Sequence, residues 1–175
     1  MQKFRLVPYP AAELPAIEIT GEIRRLDNRL SIHYSVNGET ETIRLPKRAA
    51  PSRKDDLWRA TCFELFLALP GADGYWEFNM SPSGEWNVYR MDAYRQVNMR
   101  EETKFRELPF QFVTGKNHAL DIFVDLTPIL QPEQAVLLGV TAIIQTQDGN
   151  ETYWALAHPG TQADFHRRES FSLEV

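Results

Sequence analysis

The sequence has 175 residues, 43% of them hydrophobic and 25% charged, which suits one folded domain and is too short for two full ones. The formal net charge of −5 disfavours a protein dedicated to nucleic acid, and no apolar stretch approaches the ~20 residues of a membrane-spanning helix. The single Cys62 excludes an internal disulfide, and with no apolar secretory signal at the N-terminus we expect a cytosolic protein.

Hydrophobic and polar residues alternate along most of the chain, as in β-strands with one buried face. The first such segments are 17–23 and 30–36, and Asn37-Gly38 then predicts a tight turn into a return strand over 40–45. Further strands are predicted over 63–69, 75–81, 86–92, 110–114, 119–126, 137–147, 152–155 and 170–175. Helix is weakly indicated, in short turns over 91–99 and 127–130.

Many short strands with turn-forming residues between them predict an all-β fold, and no long helical crossover separates the strands. We therefore expect one domain over residues 1–175, an antiparallel two-sheet β-sandwich. A closed barrel is the structural alternative.

Strand alternation places polar side chains on one face of two neighbouring strands. Glu64 points away from the core face of its strand, and Glu77 and Asn79 do the same on the next one. If these strands pair, two carboxylates and an amide form the hydrogen-bonding floor of a groove. A solvated strand face explains the same alternation.

The tryptophans divide by their surroundings. Trp76 and Trp154 lie inside strand patterns and are predicted to be core residues, whereas Trp58 and Trp86 lie outside alternating runs and are predicted to be partly exposed. A flat ring beside carboxylates and amides suits a sugar, because the apolar C–H face stacks on the ring and the hydroxyls need polar partners.

Three segments carry a resemblance to a known family: LWRATCFELFL over 57–67, YWEFNMSP over 75–82 and WALAHPGTQADFH over 154–166. Together they resemble the DOMON-like superfamily, in the branch similar to family 9 carbohydrate-binding modules. In that branch a tryptophan stands six residues before a strand glutamate, as Trp58 stands before Glu64. The resemblance implies a jelly-roll-like sandwich that binds a small saccharide or sugar derivative without transforming it.

The resemblance also assigns roles. Trp58 matches one of two aromatic platforms, and Glu64 matches an adjacent hydrogen-bonding acid. Asn79 falls where such modules carry an arginine, and Gln145 lies on the strand that supplies a further amide.

The second platform is normally a tryptophan six residues before a phenylalanine, and here Phe165 takes that place before Phe171. The turn Asp164-Phe165-His166 is predicted to face Trp58 across one end of the sandwich. Both rings are then expected to be partly exposed.

Other functions share these residues. Glu64 and Glu77 would be the acids of a glycoside-processing enzyme, and a protein-interaction module on the same scaffold is a further alternative. We expect no cofactor, although relatives hold haem or calcium; the candidates are Met80, Met91, Met99, His158 and His166 for haem, and Asp55, Asp56 and Asp164 for calcium. The arginines that would meet a phosphorylated sugar are Arg59, Arg95, Arg167 and Arg168. The oligomeric state is left open.

Overall fold

The structure is a computed structural model, and it describes residues 1–94 and 99–175. In these ranges the strands are β1 (Gln2–Pro8), β2 (Ile17–Leu26), β3 (Arg29–Gly38), β4 (Cys62–Ala68), β5 (Tyr75–Met80), β6 (Trp86–Met91), β7 (Arg100–Glu101), β8 (Phe110–Val113), β9 (His118–Asp125), β10 (Leu137–Gln145), β11 (Glu151–Ala155) and β12 (Leu173–Glu174). Short 3₁₀ helices cover Thr40–Thr42, Leu57–Arg59 and Arg168–Ser170. Across the described ranges, no helix has the length and apolar character needed to span a membrane.

The strands form one antiparallel, curled sheet, which confirms the predicted all-β class. Its order is β7-β6-β5-β4-β10-β11-β1-β2-β3-β9-β8, with β12 paired to β10. β1 connects the two halves of this path, because most of it pairs with β2 and its last residues pair with β11.

The larger hydrophobic core lies between the two halves of the sheet. Alternation in β2 and β3 sends Ile19, Ile23 and Ile32 into it. Tyr34 of β3 reaches β4, where its hydroxyl donates to the carbonyl oxygen of Glu64 at 2.9 Å and its ring meets Phe63 edge-on. Burial of such side chains contributes about 1.5–3 kcal/mol each, so this core holds β4 in place.

A second hydrophobic cluster, here called the outer cluster, covers the other face of β4 and β5. Its buried members are Phe66, Ala68, Tyr75, Tyr89, Met91, Ile143, Ala155, Phe165 and Phe171. Phe171 packs on Phe66 with ring centroids 5.5 Å apart, and Gly139 makes room for it, since a Cβ there would lie 2.7 Å from the Phe171 ring. Every residue of β4 is therefore buried, on both faces of the sheet.

The predicted return strand over 40–45 is wrong. β3 continues through Asn37 to Gly38 and pairs with β2 as far as Ile17, and its other neighbour is β9. The reversal between β2 and β3 lies at Asp27, which has a φ of 54°. Gly38, with a φ of 104°, ends β3, and a 3₁₀ helix follows it.

Trp86 and the last strand also differ from the expectation. Trp86 is only 4% exposed, because the Arg53 guanidinium stacks over its ring at 4.5 Å. The last strand shortens to β12 because a 3₁₀ helix takes 168–170, and segment 127–130 is a single hydrogen-bonded turn. The helical turn predicted over 91–99 falls partly outside the described residues, and Met91 belongs to β6. β1 was not predicted, since only Phe4 and Leu6 alternate before Pro8.

Candidate functional site

A cavity of about 330 Å³ opens beside the outer cluster. Its lining residues are Trp58, Glu64, Phe66, Glu77, Met99, Ile143, Tyr153, Ala163, Asp164, Phe165 and His166. Five of the predicted site residues thus meet in one place: Trp58, Glu64, Glu77, Phe165 and His166. The volume is at the lower end of the range for small-molecule sites.

The register of β4 and β5 builds the floor of this cavity. Glu64 pairs with Asn79 and Phe66 with Glu77, so both acids point to the same face, as alternation predicts. The Glu64 side chain accepts from the Thr141 hydroxyl at 3.2 Å, and Glu77 accepts from the Asn79 amide at 2.7 Å. Asn79 is fully buried and does not line the cavity, so its contact is with Glu77.

The two floor acids bind protons more tightly than ordinary glutamates. Burial raises the pKa of Glu77 from 4.5 to about 7, against the opposing effect of the Asn79 hydrogen bond. Burial also raises the pKa of Glu64 well above its ordinary value, and the negative charge of Glu77 raises it further. Near neutral pH the floor therefore both donates and accepts hydrogen bonds, as a sugar hydroxyl requires.

One wall is the 3₁₀ helix Leu57–Arg59, which immediately precedes β4. Leu57 is buried beneath this helix and leaves Trp58 partly exposed beside the cavity, as predicted. The indole meets Tyr89 edge-on with centroids 5.9 Å apart, and the Tyr89 hydroxyl donates to Asp55 at 2.6 Å. The Trp58 ring is thus packed in part against Tyr89 and remains partly exposed.

The opposite wall is segment 163–166. Phe165 is 8% exposed and packs against Tyr153 and His158, with centroid distances of 6.0 and 6.3 Å. The prediction that Phe165 is a partly exposed platform is therefore wrong. The Nδ1 atom of His166 lies 2.9 Å from the Tyr75 hydroxyl oxygen. The backbone N–H of His166 donates to the Asp164 carboxylate at 3.1 Å.

Gln145, the remaining predicted residue, lies outside the cavity lining, because Ile143 rather than Gln145 is the β10 residue that reaches it. The sequence analysis also missed Tyr153, which pairs with Ile143 across β10 and β11. Extending the strand alternation through β10 and β11 would have placed Ile143 and Tyr153 on the face that carries the cavity. The hydroxyl of Tyr153 donates to Glu151. This hydrogen bond, together with burial, raises the pKa of Tyr153 to about 12.

Each candidate calcium ligand has another partner. Asp55 accepts from Tyr89 and Asn87, Asp56 pairs with Arg59 at 3.4 Å, and Asp164 accepts from Tyr94. Over residues 1–94 and 99–175, no three His, Cys, Asp or Glu side chains gather as a metal site would need.

The haem candidates do not form a ligand pair that fits the group. Met80 is fully buried in the larger core and Met91 in the outer cluster. His158 has its Nε2 atom 3.0 Å from the carbonyl oxygen of Val7, which occupies that ring nitrogen. Met99 and His166 share the cavity, but with two buried carboxyl groups rather than an apolar porphyrin slot.

The arginines proposed for a phosphate contact have other partners. Arg167 lies 4.0 Å from Asp164, and Arg168 stacks on Phe171 and donates to the carbonyl oxygen of Leu69. Arg59 pairs with Asp56, and Arg95 lies outside the described residues. None of the three described arginines lines the cavity.

A Ser-His-Asp chain on the far half of the sheet was not predicted. His33 Nε2 lies 2.9 Å from Ser35 Oγ, and its Nδ1 lies 2.7 Å from Asp121. This order of contacts matches that of a hydrolytic triad. A triad also needs free backbone N–H groups nearby to form an oxyanion hole. Because β3 pairs with β2 on one side and β9 on the other, the backbone N–H groups of β3 are used in these two ladders. We interpret the chain as a cross-strand contact.

A larger groove of about 590 Å³ lies elsewhere, between segment 104–109 and the ends of β2, β3 and β9. Its walls include exposed Leu26 and Phe123 and the basic Arg24, Arg29 and Arg106. None of the predicted site residues and no buried acid lines it. The smaller cavity, which joins aromatic rings to buried carboxyl groups, is the better candidate for recognition.

No family model matches the chain, and a search of curated proteins finds no match. Solved structures are similar to it. A proposed carbohydrate-binding protein from Bacteroides uniformis superimposes with a TM-score of 0.69 at 12% identity, covering 98% of this chain and 84% of that one. The chain shares that fold.

Two further similar structures are of a family 9 carbohydrate-binding module from Caldicellulosiruptor kristjanssonii. The complex with cellotriose has a TM-score of 0.60 at 9% identity and covers 97% of this chain and 80% of that chain. The complex with glucose has a TM-score of 0.54 at 10% identity and covers 93% and 78%. At these identities the likeness concerns the fold alone.

Proposed function

We propose that this protein binds a small saccharide in the cavity between Trp58 and segment 163–166, without transforming it. The scaffold would be a jelly-roll-like two-sheet β-sandwich of the DOMON-like superfamily. One observation carries the proposal: the fold is similar to that of carbohydrate-binding modules, and its cavity joins an accessible indole to a floor of buried carboxyl groups.

The cavity matches the two surfaces of a sugar ring. The Trp58 indole would stack on the apolar C–H face, as aromatic platforms do. Glu64 and Glu77 would exchange hydrogen bonds with hydroxyl groups at the floor, each already oriented by one neighbour. Asp164 and His166 would meet hydroxyls at the opposite wall.

Binding without catalysis fits the placement of the acids. A glycosidase needs one acid beside the leaving oxygen and another beside the anomeric carbon. Here both acids project from adjacent strands of one floor, and they are 2% and 4% exposed. We propose that the site works without a metal or haem, using only the side chains described.

Trp58→Ala is expected to weaken saccharide binding by about 10- to 100-fold, because a stacking ring contributes roughly 1–3 kcal/mol. The free energy of unfolding should change little, since the indole is partly exposed and meets Tyr89 only at its edge. Calorimetric titration with a panel of mono- and oligosaccharides measures the affinity, and thermal unfolding measures the stability. The saccharide affinity of Trp58→Phe should lie between those of the native protein and Trp58→Ala.

The matched control is Phe123→Ala, which removes a 60% exposed aromatic ring from β9 in the other half of the sheet. It should bind as the native protein does. Equal affinity of the native protein and Trp58→Ala would contradict the platform role. Release of reducing sugar that is lost in Glu64→Gln would place the protein among glycoside-processing enzymes instead.

A further inference from the structure

The groove of about 590 Å³ lies in the half of the sheet that does not carry the smaller cavity. One of its walls is the outer face of β2, β3 and β9, where Arg24, Ser31 and Phe123 lie opposite one another in register. Leu26 is two residues from Arg24 along β2 and therefore points to the same face. Segment 104–109, which leads into β8, forms the other wall. The groove is thus a concave surface between a sheet face and a loop.

The groove exposes apolar surface to solvent. Leu26 and Phe123 are 58% and 60% exposed, and both line it. Below them lie side chains that belong to the larger core: Leu30, Phe105, Leu108 and Val124. Single exposed hydrophobic side chains are ordinary, but two of them above core side chains form a surface that a ligand would stabilise by covering it. The volume is within the range of small-molecule sites.

Basic side chains outnumber acidic ones along the groove. The charged residues of the lining, all exposed, are Arg24, Arg29, Lys104 and Arg106 against Glu107 and Asp125. Asp125 lies opposite Arg29 in the register of β3 and β9, so these two charges offset each other. Over residues 1–94 and 99–175, no ion pair involves any of the four basic side chains. Residues 95–98 are Arg, Gln, Val and Asn, so they contain no acid. The groove therefore keeps a positive charge.

These two features together define the chemistry of a ligand. Burial of an alkyl chain against Leu26 and Phe123 supplies hydrophobic free energy. A guanidinium group pairs with a carboxylate through two parallel N–H···O bonds, which favours an anionic end group. A second copy that placed its own groove against this one would bring like charges together, and a flat bilayer surface does not fit between two walls.

We infer that this groove binds a small amphipathic carboxylate, with its apolar chain against Leu26 and Phe123 and its carboxylate beside Arg24 and Arg106. It would be a second site, because the groove and the smaller cavity share no lining residue. The inference does not depend on the proposed saccharide function.

The test titrates the isotope-labelled full chain with octanoate at neutral pH and low salt and follows the amide NMR signals. Signals of segment 104–109 and of the adjoining ends of β2, β3 and β9 should shift, whereas the signal of Trp58 should not. Octanoate should bind at least about threefold more tightly than 1-octanol, the scale of an exposed ion pair, and n-octylammonium should bind no more tightly than 1-octanol. Hexanoate, which is two methylenes shorter, should bind about three- to tenfold more weakly than octanoate.

Variants assign the two parts of the ligand to the groove. Phe123→Ala and, independently, Leu26→Ala should weaken the binding of octanoate and 1-octanol alike by about three- to tenfold, because each removes apolar contact. The double variant Arg24→Gln/Arg106→Gln should bring the two affinities to near equality without changing that of 1-octanol, because the remaining charges of the lining balance.

The matched controls are Val113→Ala and Arg44→Gln, which change exposed residues outside the groove and should keep the native affinities. Saccharide titration is a separate readout, because Phe123→Ala should leave it unchanged. Loss of either kind of binding alone therefore shows which of the two proposals is wrong.

Three results would overturn the inference. The first is equal affinity of the native protein for octanoate and 1-octanol, and the second is the absence of octanoate-dependent shifts in the groove. The third is a dimer in sedimentation experiments without ligand that Phe123→Ala converts to a monomer, since a second copy would then fill the groove.

Discussion

The free energy of unfolding is expected to fall as the pH rises from 4.5 towards 7 and above, and Glu77→Gln is expected to remove the part of this dependence that Glu77 contributes. Burial raises the pKa of Glu77 from 4.5 to about 7. Between these values the folded protein holds a proton that the unfolded chain has released, so stability decreases with pH. The stabilisation is complete below pH 4.5 and lost above the folded pKa.

The expected loss above pH 7 is about 3 kcal/mol for Glu77, because one pKa unit corresponds to roughly 1.4 kcal/mol. Glu64 adds to it with the same sign, since burial raises its pKa as well. Urea denaturation at pH values spaced across this window measures the effect, and subtracting the Glu77→Gln curve removes the contributions that are common to both proteins.

Glu133→Gln serves as the control, because this acid is exposed, and its curve should follow the native one. Above pH 7, Glu77→Gln should be more stable than the native protein, whereas the two should agree at pH 4.5. If the free energies of unfolding of the native protein and Glu77→Gln changed in parallel with pH, ionisation of Glu77 would not destabilise the folded protein, and the prediction would be wrong. The native acid at this position thus lowers stability and is retained for recognition in our proposal.

Gly21→Ala is expected to destabilise the protein by about 3 kcal/mol or more, the upper range for overpacking a core. Phe4, Gly21 and Tyr34 are neighbours across β1, β2 and β3, and the Phe4 ring covers the glycine. A Cβ at Gly21 would lie well inside van der Waals contact with that ring and with the carbonyl oxygen of His33. The ring can rotate, but the carbonyl belongs to the ladder and cannot.

Urea denaturation at one pH measures this effect too. Thr20→Ala is the neighbouring control, since Thr20 is partly exposed on the opposite face of β2, and it should cost less than about 1 kcal/mol. A Gly21→Ala protein as stable as Thr20→Ala would mean that β1 and β3 can separate without loss.

The floor of the site could be predicted from the sequence because its geometry is local. A strand sends alternate side chains to opposite faces. Glu64 and Glu77 therefore share a face when β4 and β5 pair with Glu64 opposite Asn79 and Phe66 opposite Glu77. The exposure of Trp58 follows from its position in a short segment before β4 rather than inside a strand.

The exposure of Phe165 and Trp86 could not be predicted, because distant residues decide it. Tyr153 and His158 cover Phe165, and Arg53 covers Trp86. The error at Asn37-Gly38 has the same origin. A glycine with positive φ suits a strand end as well as a turn, and the partner of β3 is β9, far away in the chain.

The two walls of the cavity differ in how the fold holds them. Trp58 precedes β4, whose residues are buried on both faces, whereas segment 163–166 is joined to the sheet through side-chain contacts of Phe165 and His166. Local opening of that segment would expose the carboxyl floor to solvent while the larger core stays folded. A ligand held between the walls would oppose this opening, so occupancy should slow amide hydrogen exchange in segment 163–166 more than in β2 or β3.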